Sequence, residues 1–137
     1  MNAAWTWTDG WILMSLWLAS GEQNAGAGVN LVQLIAAADA TNVAIPTAQE
    51  LSESLSKLVG CGLVTMAGER YAIAREWRAQ VAAADAGPGG RYQAADKGLR
   101  FLAAAQLIST ETHSLHFSDE DVQAAYEQYI SRRRKPS

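Results

Sequence analysis

Cysteine is almost absent from this chain: Cys61 stands alone among 137 residues. No intramolecular disulfide can form, and a reduced, cytoplasmic setting is the expectation. Positive charge is missing from the first part of the sequence. Asp9, Glu22, Asp39, Glu50 and Glu53 all precede the first cation, Lys57. With a formal net charge of -3, nothing argues globally for nucleic acid or an anionic membrane as partner. The late cations end in Arg132, Arg133, Arg134 and Lys135, so the chain reads as an acidic body with a basic tail. Long apolar runs are absent as well. The most apolar stretch, "WILMSLWLA" at residues 11–19, is shorter than the roughly 18–20 residues a bilayer span needs. Asp9 stands at its start and no cation precedes it, which argues against a signal peptide. No membrane partner is expected.

Apolar residues are plentiful, at 49% of the chain against 18% charged, enough for a real core. Thr8 or Asp9 is placed to cap a first helix that runs to about Ser20, with Gly21 as terminator. Trp11, Ile12, Leu13, Met14, Leu16, Trp17 and Leu18 surround that helix almost completely, so it must be covered on most sides. It is a central core helix or one that also faces a second subunit; Trp5 and Trp7 favour the subunit. After a Gly-rich connection Val29 suits a short strand. Asn30 and Gln33 then form a capping box for a second helix, "LVQLIAAADA". Pro46 ends any continuous helix there.

The stretch "IPTAQELSESLSKLVGCGLVTMAGERYAI", residues 45–73, carries the clearest local pattern. Thr47 and Glu50 make a T-x-x-E capping box. Leu51, Leu55, Leu58 and Val59 fall on one stripe of a third helix; Ser52, Glu53, Ser56 and Lys57 fall on another. Gly60 and Gly62 close it. Residues 63–66 and 70–74 read as two strands around the turn "AGE". A helix follows from about Arg75. "AGPGG", residues 86–90, is a linker or sharp corner. Beyond it lie a helix over residues 92–107 and a last helix. That last helix is capped by Ser118, stapled by Phe117 and Val122, and has an apolar stripe of Val122, Ala125, Tyr126, Tyr129 and Ile130. No internal repeat is evident.

The order helix, short strand, helix, helix, hairpin, helix over residues 8–85 resembles a winged helix-turn-helix domain. "LSKLVGCGLVTMAGERYAI" is similar to bacterial regulators of the multiple-antibiotic-resistance and PadR types. Leu55, Leu58, Gly62, Leu63 and Val64 occupy the places of their L-x-x-L-x-x-x-G-L-[IV] segment. A longer stretch around it also resembles an uncharacterised group of bacterial winged-helix proteins. The fold so implied is mainly α with a small β-hairpin wing (α+β). A winged-helix domain would span residues 1–85. A helical extension would span residues 86–137 and pack on it as one unit.

In DNA-binding relatives the third helix enters the major groove. The resemblance therefore implies a double-stranded DNA contact face of Thr47, Gln49, Ser52, Glu53, Ser56 and Lys57, with Arg70 on the wing beside Gly68 and Glu69. Gln49 suits adenine, and Ser or Thr suits base edges or phosphates. Phosphate contacts usually supply much of the affinity, and a face with Glu50, Glu53 and only Lys57 supplies little. Capping explains Glu50; nothing comparable explains Glu53. Arg75, Arg78, Arg91, Lys97 and Arg100 either flank a duplex from the wing side or form an ordinary solvated surface.

Signs of enzyme chemistry are few. His113 and His116 form H-x-x-H, which finds no further metal ligand beyond Glu111 or Asp119. Cys61 lies at a helix C-terminus, the wrong end to activate a thiol. No catalytic set, metal or cofactor is expected. Two functions stay open. One is a DNA-binding transcriptional regulator, dimerised through the Trp-rich first helix and the C-terminal helices. The other is a non-enzymatic winged-helix module that binds protein.

Overall fold

The structure is a computed structural model that describes residues 4–21, 27–107 and 115–134. Thr6 begins the first helix, α1 (Trp7–Ser20), rather than Thr8 or Asp9. The Thr6 hydroxyl accepts from the Asp9 amide at 3.2 Å, and the Asp9 carboxylate accepts from the Thr6 amide at 2.9 Å. Asp9 is therefore the third-position partner of a capping box, a role open to a carboxylate at that spacing. Gly21 ends α1 with φ 64°, which glycine adopts freely. Every residue from Trp11 to Leu16 is buried, so the all-round apolar pattern corresponds to all-round cover. That cover comes from α2 (Leu31–Asn42), α3 (Ala48–Gly60), α4 (Arg78–Asp85), α5 (Ala94–Ala105) and the second strand.

The capping boxes read from sequence form as expected at Asn30/Gln33 and Thr47/Glu50. Strands β1 (Val64–Ala67) and β2 (Arg70–Ile73) make one antiparallel hairpin in which Val64 pairs Ile73 and Ala67 pairs Arg70. Val29 adds a single bridge to Tyr71, with backbone bonds of 2.7 and 2.8 Å, so the expected short strand is one residue long. The architecture is thus mainly helical with a small two-stranded sheet, in the α+β class.

α5 lies along α1, and the contact is closest where Gly10 meets Gly98. A methyl on Gly98 would collide with the Gly10 carbonyl oxygen and Cα and with Met14. A methyl on Gly10 would strike the Ala95 carbonyl and the Leu99 amide. Both glycines sit inside helices, where glycine costs about 1 kcal/mol relative to alanine. Here the missing Cβ lets the two backbones touch. The "AGPGG" stretch turns the corner between α4 and α5. The buried Lys97 donates across it to the Asp85 carbonyl at 2.8 Å, at the C-terminal end of α4. Lys97 is thereby removed from the solvated basic surface anticipated for this region.

The last helix, α6 (Asp119–Arg134), begins at Ser118, whose hydroxyl accepts from the Asp121 amide at 3.0 Å. It packs mainly on α2 through Val122 and Ala125, both buried, with Tyr126, Tyr129 and Ile130 half-buried on the same stripe. Near its end the Tyr129 hydroxyl donates to Asp39 at 2.7 Å, and Arg133 lies 3.6 Å from the same carboxylate. Among the described residues no helix is long and apolar enough to cross a membrane.

Candidate functional site: the outer face of the third helix

The polar stripe of α3 is only partly open to solvent: Ser52, Ser56 and Lys57 are half-buried. Residues 115–118 run across it, without helix or strand structure, before entering α6. Ser56 Oγ accepts from the Leu115 amide at 2.9 Å and donates to the Leu115 carbonyl at 3.4 Å. One turn earlier, Ser52 Oγ accepts from the Phe117 amide at 2.9 Å and donates to the Ala48 carbonyl at 2.7 Å. Serines at i and i+4 share a helix face, and alternate residues of an extended chain present their amides to one side. The two spacings match, so two hydroxyls hold two amides. Phe117 then packs against Tyr71 of β2, with ring centroids 6.2 Å apart. A net hydrogen bond is worth about 1 kcal/mol, so the serine contacts orient this segment as much as they anchor it.

Lys57 is also engaged within the chain. Its ammonium pairs with the Asp9 carboxylate, donates to the Ala4 carbonyl at 2.7 Å, and lies 5.1 Å from the centre of the Trp5 ring. Asp9 is 2% exposed and also accepts from Ser54 Oγ at 2.7 Å. A buried carboxylate needs such partners, because an unpaired charge there would be costly. The one cation expected on the third helix thus neutralises an acid of α1.

Of the remaining residues expected to contact DNA, Thr47 is committed to its cap and Gln49 donates to Glu53 at 3.0 Å along the helix. Gln49 and Glu53 are exposed. Glu53 faces a cavity of about 550 Å3 that it shares with His116, Asp119 and Glu120. Among the described residues no Lys or Arg lines that cavity, and its charged side chains there are Glu53, Asp119 and Glu120. Arg70, on the hairpin, donates to the Gly28 carbonyl at 3.2 Å. Arg78 donates to the Ile73 carbonyl at 3.0 Å. Thus Ser52 and Ser56 are brought together beneath residues 115–118, Glu53 stays exposed at the cavity beside them, and Lys57 and Arg70 are tied elsewhere.

A second cavity, of about 470 Å3, lies on the other side of Phe117. Leu31, Tyr71, Phe117 and Ala125 give it apolar walls, and Glu69 and Asp121 stand among its polar residues. Burial raises the Tyr71 hydroxyl pKa, and the nearby Glu69 charge adds to the effect. Asp121 is held below the ordinary carboxylate range, first by the Ser118 amide, then by the Ser118 hydroxyl and the charge of His116. Cys61 is half-buried, and desolvation raises its pKa, the wrong direction for a nucleophile. Among the described residues no three His, Cys, Asp or Glu side chains gather as metal ligands. His113 and Glu111 of the H-x-x-H proposal lie outside those residues.

The tryptophans that suggested a subunit interface have neighbours in their own chain. Trp11 donates to the Ala38 carbonyl at 3.2 Å and Thr41 Oγ1 at 3.1 Å. Trp7 packs at a tilt against Trp11 with ring centroids 5.8 Å apart, and Trp77 sets its edge against Phe101. Trp7 and Leu18 are the large apolar side chains of α1 that remain exposed.

The role of residues 115–118 was not visible in sequence. Its signal was the pairing of two serines on α3 with an L-x-F spacing some sixty residues away, which no local period reveals. No family model matches this chain, and neither a curated protein nor a solved structure matches it.

Proposed function

We propose that this chain is a non-enzymatic winged-helix module that binds protein and does not read DNA through its third helix. One observation carries this reading: Ser52 and Ser56, on the face that would enter a groove, hold the backbone of the chain's own residues 115 and 117. The rest of that face is unsuited to phosphate. Its cation is paired with Asp9, and its open part carries Glu53 beside Asp119 and Glu120.

The order of α1, the Val29 bridge, α2, α3 and the hairpin also supports a second reading, a homodimeric DNA-binding regulator. That reading requires residues 115–118 to leave α3 before a duplex can approach.

Fluorescence anisotropy with duplex DNA from upstream of its own gene separates the two. On the protein-binding reading, no sequence-dependent binding develops even near 50 mM salt, where phosphate contacts are strongest. Binding that weakens steeply with salt and drops on Arg70→Ala would overturn it.

A further inference from the structure

The groove on α3 has the geometry of a peptide site that its own chain fills imperfectly. Its fixed parts are the Ser52 and Ser56 hydroxyls, which take the amides of alternate residues, and the Tyr71 ring, against which the second apolar side chain packs. The seated segment, "LHFS", supplies Leu115 and Phe117 at that spacing. Two features beside the seated segment leave room for a different occupant. A cavity of about 470 Å3 stays open beside Phe117. The following residues also bring Asp119 and Glu120 to the cavity that holds Glu53. Like charges gathered there oppose seating. The body side of the groove offers Glu53 and Glu69, while Lys57 and Arg70 are turned to Asp9 and the Gly28 carbonyl.

We infer that this groove is a docking site for an extended segment of another protein, with apolar residues at alternate positions followed by Lys or Arg where this chain has Asp119 and Glu120. The inference rests on the protein-binding reading and names its partner class. The partner's backbone takes over the bonds to Ser52 and Ser56. Its cations meet Glu53 where the chain's own segment presents carboxylates. Residues 115–118 hold the site closed in the partner's absence, which lowers the apparent affinity by the fraction of time they are seated.

The test uses the full chain and two labelled peptides. One spans residues 115–122 unchanged; the other carries Asp119→Lys and Glu120→Lys. The basic peptide should bind about ten-fold more tightly at low salt and lose that advantage on Glu53→Gln or in high salt. Ser52→Ala with Ser56→Ala in the protein should weaken both peptides. Phe117→Ala in the protein, which loosens the internal segment and leaves the groove intact, should strengthen both. Tyr129→Phe, which loosens α6 at its far end, should act in the same direction and serves if Phe117→Ala fails to fold. Equal affinity for the two peptides, no binding to the loosened chain, or indifference to the serine substitutions would each overturn the inference. So would a full-length dimer, seen by light scattering, that dissociates when the basic peptide is added, because the occupant would then be a second copy. None of these results depends on the DNA measurement, so a failure here leaves the protein-binding reading standing, and specific DNA binding sinks that reading separately.

Discussion

Two surfaces of this molecule are covered by chain that comes later in the sequence, and they are covered in opposite ways. α5 meets α1 through Gly10 and Gly98, backbone against backbone, with Trp11 to Leu16 buried around the crossing. Residues 115–118 meet α3 through two serine hydroxyls and β2 through one aromatic contact, and the helix that follows buries Val122 and Ala125. A close-packed crossing tolerates no added atom. A hydrogen-bonded segment over a polar face can exchange its bonds for water or for another chain at small net cost. The first surface holds the fold; the second is where a partner can compete.

The largest effect tests the first surface. Alanine normally improves a helix interior over glycine by about 1 kcal/mol. Gly98→Ala should instead destabilise the protein by about 3 kcal/mol, because the new methyl meets the Gly10 carbonyl and Cα and the helices must separate. Urea denaturation measures it. A neutral or stabilising result would mean that the α1–α5 crossing has room for a methyl between Gly10 and Gly98.

Asp9→Ala comes next, at about 2 kcal/mol. It removes the N-terminal capping box of α1, leaves Ser54 without its acceptor and deprives Lys57 of its counter-charge. The Lys57 side chain is 26% exposed, so solvent screens part of the pair, and Lys57→Ala should cost less than Asp9→Ala. Equal losses for the two would show that the ion pair outweighs the cap and the serine bond.

How much of this was legible follows from the range over which each signal acts. Asn30 with Gln33, Thr47 with Glu50, and Ser118 all act within one turn, and each cap forms where the local pattern placed it. The hairpin lies within a residue of its expected place because "AGE" and the flanking alternation fix it locally. The contacts that decide the site span much longer separations. Ser52 looked solvent-facing because its stripe was polar, yet its partner is the amide of Phe117. Lys57 looked free because the acid that claims it is on α1. Asp9 looked like a cap because its buried partners were out of view. Gly10 and Gly98 did leave a trace: a glycine inside a helical pattern usually has a packing reason.

The smallest effect tests the second surface through pH. Burial raises the Tyr129 hydroxyl pKa above its ordinary value, with the Asp39 bond and charge adding to it and Arg133 opposing. A pKa raised on folding means that the folded state favours the protonated phenol. Its contribution is therefore complete below the unfolded value, about 10, and is lost as pH rises through the folded value. Tyr129 is only half-buried, so solvent screens the contact and the loss should be well under about 1 kcal/mol in global stability. Hydrogen exchange should resolve it locally: above about pH 10 the amides of α6 lose protection relative to those of α1, after correction for the intrinsic rate. Tyr129→Phe should remove that extra pH dependence and leave α6 less protected at neutral pH. If α1 and α6 instead lose protection together, the two surfaces open as one unit, and the contrast between a holding surface and a competing one fails.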